Sequence, residues 1–327
     1  MLLLSKNDIK KIVNMQDMIE ASKQLFSLLS LEKIDSPLRT IIGNGAGGSF
    51  LTMPSFCGDM GVAAVKVVDV FPENSRKELK TIYAQVMLMD GETGQFLSLL
   101  DGTYITQLRT GAATGAALDL LAKKDCHKGA LIGTGAQAET QLEAMITVRV
   151  LEEVSVYSPN FERCMSFVER MRAEHPTFRG TIIPAVNVKE CVCDADIIVT
   201  VTTSSEPVFD GHLVKPGATV SGVGTYEPNK HELDSALLSR ASRIFCDSVD
   251  AVLNESGDIL IPLHEGIISL EDISGSIGDV INKTVPGRKN DEEIIVFETV
   301  GIAAQDLAAA KLIYEKAKTA NVGINWG

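Results

Sequence analysis

A turn rich in small residues joins an apolar strand to a helix near the middle of this chain. Residues 129–132 predict the strand, Gly133-Thr134-Gly135-Ala136-Gln137-Ala138 forms the turn, and apolar residues spaced through 140–145 predict the helix. In the pattern Gly-x-Gly-x-x-Ala, the first glycine allows a tight turn and the second a close backbone approach to phosphate. The alanine permits close packing of helix and strand. This unit is typical of a Rossmann dinucleotide-binding domain, so we expect a nicotinamide nucleotide bound at residues 133–138.

The second strand of that domain indicates which nucleotide is bound. It ends near Ser158, about 20 residues beyond the turn, where Rossmann domains place the residue that contacts the ribose. Asp or Glu there would bind the 2′-hydroxyl of NAD and repel the 2′-phosphate of NADP. The chain instead has Ser158, with Asn160 and Arg163 close by. We therefore expect NADP or NAD as cofactor, with NADP favoured.

Two other segments bear on nucleotide binding. Thr202, Thr203 and Ser204 follow the predicted strand 197–201, where a loop should cover the nucleotide, although ordinary turn chemistry is an alternative. The cluster Gly43-Asn-Gly45-Ala-Gly-Gly48 also matches Gly-x-Gly-x-x-Gly. It leads directly into a predicted strand at 50–53 rather than into a helix. It therefore predicts a hairpin loop and not a phosphate site.

Two styles of hydrophobic pattern divide the chain. A helix at 15–31, capped by Asn14 and Asp17, precedes short strands, and a Gly- and Ala-rich helix at 105–122 follows them; the strands are expected at 39–42, 50–53, 62–70, 82–89 and 95–100. Beyond them, strands alternate with helices, which is typical of a doubly wound parallel sheet; they are expected at 129–132, 154–157, 181–185, 197–201, 218–223 and 243–247. A strand at 293–297 precedes a last helix, 301–318, expected to return to the first domain. The predicted fold is α/β: an α+β domain with a mostly antiparallel sheet, residues 1–122 and 300–327, and a Rossmann domain, residues 123–299.

Composition limits the partners. The 327 residues include 30 Lys and Arg against 43 Asp and Glu, a net charge of -13 that repels nucleic acid and anionic membrane surfaces. We expect a small-molecule substrate, with neither nucleic acid nor membrane as a partner. Met1-Leu-Leu-Leu is followed directly by charge and lacks the apolar length of a signal peptide, so a cytoplasmic location is expected. The Cys and His spacings predict reduced thiols and no metal site.

Three basic residues lie in apolar or small-residue surroundings. They are Arg39, Lys66 and Arg109. Convergence of such residues would make a carboxylate-binding site, because guanidinium groups pair bidentately with carboxylates. Taken singly, each could instead be a surface salt-bridge partner.

Several motifs together give the chain a family resemblance. They are Met53-Pro54, Lys66 followed by Phe71-Pro-Glu-Asn74, Leu108-Arg109-Thr-Gly-Ala-Ala113, Gly133 to Ala138, Ala195-Asp-Ile-Ile-Val-Thr, Pro207-Val-Phe-Asp210, and Gly224 through Glu232-Leu233. Over essentially its full length the chain resembles the ornithine cyclodeaminase/μ-crystallin family. The resemblance implies a homodimer with a substrate and dimerisation domain completed by the C-terminal helix, and an inserted Rossmann domain.

The resemblance also implies roles for particular residues. Arg39, Lys66 and Arg109 would hold the carboxylate of an amino or imino acid, with Met53 and Tyr226 also at the substrate. Thr81, Val223, Gly224 and Thr299 would contact the nucleotide, Thr81 and Thr299 near its nicotinamide. Lys66, Arg109 and Lys230 are the expected catalytic residues, although Lys230 could equally be an exposed residue at a helix start.

One position departs from the family pattern. In ornithine cyclodeaminases the corresponding segment resembles Gly-x-Asp-x-Pro-Gly-Lys, whereas this chain has Gly224-Thr-Tyr226-Glu-Pro228-Asn-Lys230. A tyrosine, with a pKa near 10 in solution, is a poor base at neutral pH. We therefore expect an NAD(P)-dependent reductase or dehydrogenase acting on a C–N bond, with a cyclic ketimine such as pyrroline-2-carboxylate as substrate. Ornithine cyclodeamination to proline and ammonia is the first alternative. A non-catalytic, NADP-dependent ligand-binding protein is the second.

Overall fold

The computed structural model describes residues 1–327, apart from the side chain of Ser75. The strands are β1 Leu2–Leu4, β2 Thr40–Gly43, β3 Ser49–Cys57, β4 Val62–Val70, β5 Ile82–Asp90, β6 Phe96–Asp101, β7 Lys128–Ile132, β8 Glu153–Tyr157, β9 Thr181–Pro184, β10 Ile197–Thr200, β11 Thr219–Gly222, β12 Arg243–Cys246, β13 Ile273–Ser276, β14 Ile295–Glu298 and β15 Ile324–Asn325. The α-helices are α1 Lys6–Ile12, α2 Met15–Ser30, α3 Gly102–Leu121, α4 Ala138–Val148, α5 Phe161–Glu174, α6 Val188–Val192, α7 Ser235–Arg240, α8 Val249–Glu255, α9 Gly257–His264, α10 Ile277–Ile281 and α11 Ala303–Ala320. Short 3-10 helices occur at Pro72–Lys77, Gly211–Leu213 and Leu270–Asp272. Within the described part of the chain, no helix has the length and apolar character needed to cross a bilayer.

The chain divides into two compact units. Unit 1 is Met1–Arg109 with Ile302–Gly327, and unit 2 is Thr110–Gly301. The sequence pattern placed the divisions after residues 122 and 299, whereas the first division in the structure falls inside α3. The reason is visible at Gly111 of unit 2, where an added Cβ would lie 2.5 Å from the Thr140 carbonyl oxygen of α4. The second half of α3 is thus packed closely against the helix that follows the glycine turn.

Unit 1 is built on a seven-stranded sheet with the order β15-β1-β6-β5-β4-β3-β2. Strands β2 to β6 form an antiparallel meander, as expected from the alternating pattern and the short turns. The glycine cluster at 43–48 joins β2 to β3 as a hairpin, with Gly43 opposite Ser49, which confirms that prediction. The edge strands β1 and β15 were not predicted from the sequence. Strand β1 pairs parallel with β6, and β15 pairs antiparallel with β1.

One face of this sheet is covered by helices. Buried residues alternate with exposed ones along β3, so that Leu51, Met53, Ser55 and Cys57 point into the unit. The helix α11 packs against β3, β4 and β5 and against α2, and its first half is buried on every side. The last helix therefore returns to the first unit, as expected. At α2, Asn14 and Asp17 form the predicted reciprocal cap.

Unit 2 is built on an eight-stranded sheet with the order β13-β12-β14-β11-β10-β7-β8-β9, in which every pairing is parallel. From β7 the chain proceeds outwards through β8 and β9, then crosses back to β10 on the other side of β7. The strand order thus reverses between β7 and β10, and in open α/β sheets ligands bind at the carboxyl ends of strands at such a point. The predicted fold class is confirmed. Strand β13 was not predicted.

Candidate active site

A buried ion pair lies at the centre of unit 1. Lys66 is in the middle of β4, opposite Met53 of β3 and Val86 of β5. Its side chain is 2% exposed, and its Nζ donates to Asp306 Oδ2 of α11 at 2.6 Å. Burial lowers the pKa of Lys66 to about 8, although the Asp306 carboxylate opposes the shift. Lys66 is therefore a cation whose proton is held less firmly than that of an exposed lysine.

A second cation shares the same carboxylate. Arg109 of α3 is 6% exposed, and its Nε lies 3.4 Å from Asp306 Oδ1. Its Nη1 donates to Gln305 Oε1. Repulsion from Arg109, and more weakly from Arg39, contributes to the lowered pKa of Lys66, so the basic residues are close enough to interact. Two buried cations with one carboxylate leave an excess of positive charge, which favours an anion.

The neighbouring amide offers a further donor. Gln305 Nε2 is buried and has no hydrogen-bond partner among the residues that the structure describes. Such a group costs about 1 to 3 kcal/mol unless something pairs with it. A bound carboxylate would supply the acceptor. The cluster of Lys66, Arg109, Gln305 and Asp306 can therefore hold a carboxylate by charge and by hydrogen bonds.

Sequence reasoning missed Gln305 and Asp306. Both lie in α11, where they interrupt a run of alanines that is buried on all sides. A polar pair in such surroundings is itself a signal, because buried carboxylates are retained where a cation pairs with them. The sequence does not reveal which cation that is, since Lys66 and Asp306 are 240 residues apart.

Three other residues of unit 1 were predicted to belong to the site. Met53 is buried and lies directly across from Lys66. Arg39 is half-buried just before β2, and its charge is felt at Lys66. Thr81 is half-buried just before β5, and its carbonyl accepts from the Phe71 N–H at 2.8 Å. The substrate role of Met53 and Arg39 and the cofactor role of Thr81 stay predictions.

In unit 2 the glycine turn has the geometry of a phosphate-binding loop. Gly133 has φ +111°, and an added Cβ would lie 2.5 Å from the Val201 carbonyl oxygen, so only glycine fits without strain. At Gly135, no described atom lies within 4 Å of an added Cβ. The turn leads into α4, which begins at Ala138. A ligand could thus approach the backbone at Gly135 and face the N-terminal end of a helix.

A pocket of about 570 Å³ adjoins this turn. Its walls come from the glycine turn and from the ends of β8 and β10; they include Gly133, Thr134, Gly135, Ser158, Pro159, Arg163, Thr202, Thr203 and Ser204. At the turn, Thr134 Oγ1 and Gln137 Oε1 are buried without a hydrogen-bond partner in the described part of the chain. These residues fit a nucleotide, because the Thr134 hydroxyl can donate to a phosphate oxygen and Gln137 Oε1 can accept from a ribose hydroxyl. Ala136 between them is exposed.

The residues that follow β8 form some of their hydrogen bonds within the protein. Asn160 caps α5, and its Oδ1 accepts from the backbone N–H of Arg163 at 2.9 Å. The Arg163 side chain is exposed at the pocket, and its Nη2 donates to the Thr134 carbonyl at 3.4 Å. Ser158 is half-buried beside them. Arg163 is thus placed to meet an anionic group, whereas Asn160 already has a structural role.

The remaining cofactor candidates follow β10, β11 and β14. The Ser204 N–H donates to Thr202 Oγ1 at 3.1 Å, so these two residues shape their own loop. The Gly224 N–H donates to Glu232 Oε2 at 2.7 Å. Thr299 Oγ1 donates to Asp247 Oδ2 at 2.6 Å, which fixes its hydroxyl as an acceptor towards any ligand. The Val223 N–H donates to the Thr200 carbonyl at 3.1 Å. The cofactor roles of all these residues, and of Thr203, stay predictions.

Tyr226 and Lys230, which bear on the choice between imine reduction and cyclodeamination, both lie near the surface. Tyr226 is 39% exposed, on the chain between β11 and α7. Lys230 Nζ donates to Glu227 Oε1 at 2.6 Å in a half-exposed pair. The structure thus gives Lys230 a carboxylate partner in its own loop, and Glu227 is engaged by that pair.

A parallel sheet with this strand order and glycine turn defines a Rossmann-type dinucleotide-binding domain. The chain belongs to the ornithine cyclodeaminase/mu-crystallin family, whose sequence model matches residues 1–321. The family predicted from the sequence motifs is thereby confirmed.

Individual relatives match along their whole length. The chain is 37% identical to a Delta(1)-pyrroline-2-carboxylate reductase of Bacillus cereus, over 99% of this chain and 98% of the relative. A solved structure of the Delta(1)-pyrroline-2-carboxylate reductase of Thermococcus litoralis, in complex with NADH and L-proline, is 39% identical, with a TM-score of 0.94 and 100% of each chain covered. An archaeal alanine dehydrogenase dimer with bound NAD is 32% identical, with a TM-score of 0.91, covering 100% of this chain and 98% of that one.

Proposed function

We propose that this protein is an NAD(P)-dependent reductase of a small cyclic imino acid, with pyrroline-2-carboxylate as the leading substrate. The observation that carries the proposal is the buried cluster in which Lys66 and Arg109 share Asp306. An imino acid supplies the one anionic group that such a cluster lacks. The similarity to two pyrroline-2-carboxylate reductases supports the same substrate class.

The cluster would act mainly by positioning the substrate. Each charged hydrogen bond from Lys66 or Arg109 to a desolvated carboxylate contributes about 1.5 to 3 kcal/mol. Asp306 keeps both cations in place and prevents their mutual repulsion from spreading them apart. A protonated imine is already electrophilic, so holding it in one orientation is the larger part of catalysis. The lowered pKa of Lys66 also lets it exchange a proton near neutral pH. Lys230, paired with Glu227, is the other candidate for a proton relay.

The nicotinamide group, when bound, supplies the hydride for imine reduction or accepts it from an amino acid. The residues of unit 2 that would hold the dinucleotide are those of the turn and the adjoining loops: Gly133, Thr134, Gly135, Gln137, Ser158, Arg163, Thr202 and Ser204. Arg163 at the pocket supports NADP over NAD. The structures of relatives contain NADH or NAD, so acceptance of both nucleotides is part of the proposal.

Ornithine cyclodeamination is the second candidate function, because the family includes this activity. That reaction needs a base near the substrate amine. Tyr226 occupies the position at which the cyclodeaminase pattern has an aspartate. Glu227, the next carboxylate along the chain, is paired with Lys230. The arrangement therefore favours reduction over cyclodeamination.

We also propose that the protein is a homodimer formed through the uncovered face of the unit 1 sheet. Ile42, Phe50, Phe56 and Val67 lie on that face and are 62%, 47%, 41% and 50% exposed. Contiguous apolar surface of this kind marks a protein interface. The similarity to an archaeal alanine dehydrogenase dimer supports a second copy as the partner. Sedimentation as a monomer at micromolar concentration would contradict this.

The experiment that separates the functions offers the purified protein three substrates. Pyrroline-2-carboxylate and piperideine-2-carboxylate are each supplied with NADPH or NADH, and L-ornithine is supplied with NAD. We expect oxidation of the reduced nucleotide with a cyclic imine and no proline from ornithine. Proline and ammonia formed from ornithine without net reduction of nucleotide would establish the cyclodeaminase instead. Nucleotide binding with no turnover of any of the three would favour a ligand-binding protein.

A further inference from the structure

A buried carboxylate ties together two loops at the carboxyl edge of the parallel sheet. Glu232 lies between β11 and α7 and is 0% exposed. Its Oε1 accepts from the backbone N–H of Thr202 at 2.6 Å, and its Oε2 from that of Gly224 at 2.7 Å. Thr202 follows β10 and Gly224 follows β11, which are neighbouring strands. One side chain thus bridges the segments that leave two adjacent strands.

The Glu232 bridge leaves no space for a side chain at residue 224. A Cβ added to Gly224 would lie 2.3 Å from the Thr202 carbonyl oxygen and 2.5 Å from Glu232 Oε2. Glycine is therefore required at 224 for the two loops to approach each other around the carboxylate. A larger residue would have to move one loop away from the other.

The backbone of Glu232 is itself fixed by hydrogen bonds. The backbone N–H groups of Glu232 and Leu233 both donate to Asp258 Oδ1 of α9, each at 2.7 Å. The Glu232 carbonyl accepts from the Val208 N–H at 2.8 Å. With its own backbone fixed on both sides, the side chain can impose its position on Thr202 and Gly224.

The arrangement is costly for a structural tie alone. Burial and the neighbouring Asp258 carboxylate raise the pKa of Glu232 to about 7, so burying its charge works against folding. An uncharged side chain would avoid that cost. A carboxylate, however, is acceptor-only and can satisfy two backbone N–H groups at once. The geometry therefore needs an acceptor at both oxygens.

We propose that Glu232 is a positioning residue for dinucleotide binding, which fixes the loops after β10 and β11 in the arrangement that accepts the nucleotide. It does so without touching the ligand, through the backbone of Thr202 and Gly224. The inference rests on the proposed function in one respect, namely that these two loops contact the dinucleotide. It assigns to the conspicuous Glu232-Leu233 pair a role in preorganising that site.

The test is Glu232→Gln, with NADH binding and thermal unfolding measured separately. Glutamine keeps the shape but turns one acceptor into a donor that faces a backbone N–H. We expect the Kd for NADH to rise about tenfold, which is about 1.4 kcal/mol. The unfolding temperature of the nucleotide-free protein should change little, because removal of a charge buried beside Asp258 offsets the loss of one hydrogen bond.

The matched control is Glu298→Gln. Glu298 is also fully buried at this end of the sheet, and its Oε1 accepts from Ser256 Oγ rather than from either loop. Burial and the nearby carboxylates of Asp258, Glu232 and Asp247 raise its pKa well above the ordinary range. We expect its Kd for NADH to match that of the parent. An equal loss of binding in both variants, or no loss in Glu232→Gln, overturns the proposal.

The parent protein offers a second readout should Glu232→Gln fail to fold. The charged and titratable groups that face Glu232 are Asp258 of α9 and Glu298 of β14, with His231 next to it in sequence and interacting with Asp258. Since protonation removes an acceptor from one of the two loops, binding of NADH should weaken several-fold as the pH falls from 8 to 6. A Kd that is constant over this range overturns the proposal. A parent that binds no dinucleotide at any pH would instead overturn the proposed function.

Discussion

Lys66 Nζ and Asp306 Oδ2 lie 2.6 Å apart in a site where the two side chains are 2% and 1% exposed. The pair joins strand β4 to helix α11, which returns from the far end of the chain. Arg109 shares the same carboxylate. Removal of the Asp306 carboxylate would therefore leave two buried cations, Lys66 and Arg109, facing each other. This one contact therefore supports both the packing of unit 1 and the proposed carboxylate site.

Asp306→Asn should lower the free energy of unfolding by about 3 kcal/mol, because breaking a buried ion pair leaves an uncompensated charge. Denaturation with urea, followed by circular dichroism, measures the change. Glu315→Gln is the matched control, since Glu315 pairs with Lys311 on the exposed side of the same helix. We expect the control to change stability by less than about 0.5 kcal/mol. Equal stability of the two variants would contradict the role assigned to Asp306.

Binding of a carboxylate ligand should weaken as the pH rises through about 8. The pKa of Lys66 is lowered, so Lys66 is a cation below that pH and neutral above it. Loss of the charge removes one of the two partners of the carboxylate. Pyrrole-2-carboxylate is a suitable probe, because neither its carboxylate nor its ring nitrogen titrates in this range. Calorimetric titration from pH 7 to pH 9 should show a Kd that is lowest at the acid end.

Lys66→Arg provides the control for that pH dependence. A guanidinium group stays protonated throughout the range, so the weakening near pH 8 should disappear even if overall affinity falls. The same pH profile in the variant and the parent would mean that another group titrates.

Gly133→Ala and Gly135→Ala should separate folding from nucleotide binding. Gly133 has a positive φ and no space for a Cβ, so its substitution should destabilise the protein by about 1 to 3 kcal/mol. Gly135 has open space at its Cα, so its substitution should leave stability nearly unchanged and weaken dinucleotide binding instead. Thermal unfolding without nucleotide and fluorescence titration with NADH measure the two effects. A destabilised Gly135→Ala variant would show that residue 135 is structural.

Arg163→Ala should reduce the preference for NADPH over NADH by about tenfold, because a guanidinium to phosphate contact contributes about 1.5 to 3 kcal/mol. The ratio of kcat/KM for the two nucleotides gives the result. Arg170→Ala is the control: Arg170 is on the same helix but pairs with Glu139 and Glu174. A ratio that is equal in both variants would place 2′-phosphate recognition elsewhere.

The sequence was most informative where a local pattern determines the structure. Val62–Val70 has the predicted bounds, since valines make up most of it and turns flank it. The glycine turn at Gly133 was recognisable because strand, turn and helix are contiguous. The edge strands β1 and β15 were missed, because each has only two or three residues and gains its structure from pairing with the other and with β6. Asp306 was missed for a related reason, as its partner lies far away in the sequence.

The glutamate bridge illustrates the same limit. Glu232 was noted only as part of a motif, and its function depends on where Thr202 and Gly224 lie after folding. No local pattern marks a side chain that satisfies two distant backbone groups. The chemistry of a site can thus be inferred from residue types, whereas the residues that position it require the structure.

The most direct test of the account compares two imines that differ only in the carboxylate. The parent and Arg109→Ala are each given reduced nucleotide with pyrroline-2-carboxylate or with 2-methyl-1-pyrroline, and oxidation of the nucleotide is followed by its absorbance. We predict that the parent turns over pyrroline-2-carboxylate. Arg109→Ala should turn over this imine at least a hundredfold more slowly, with an unchanged Kd for NADH. Neither protein should turn over 2-methyl-1-pyrroline at an appreciable rate. Comparable turnover of both imines by the parent would contradict the claim that the buried Lys66, Arg109 and Asp306 cluster binds the substrate carboxylate.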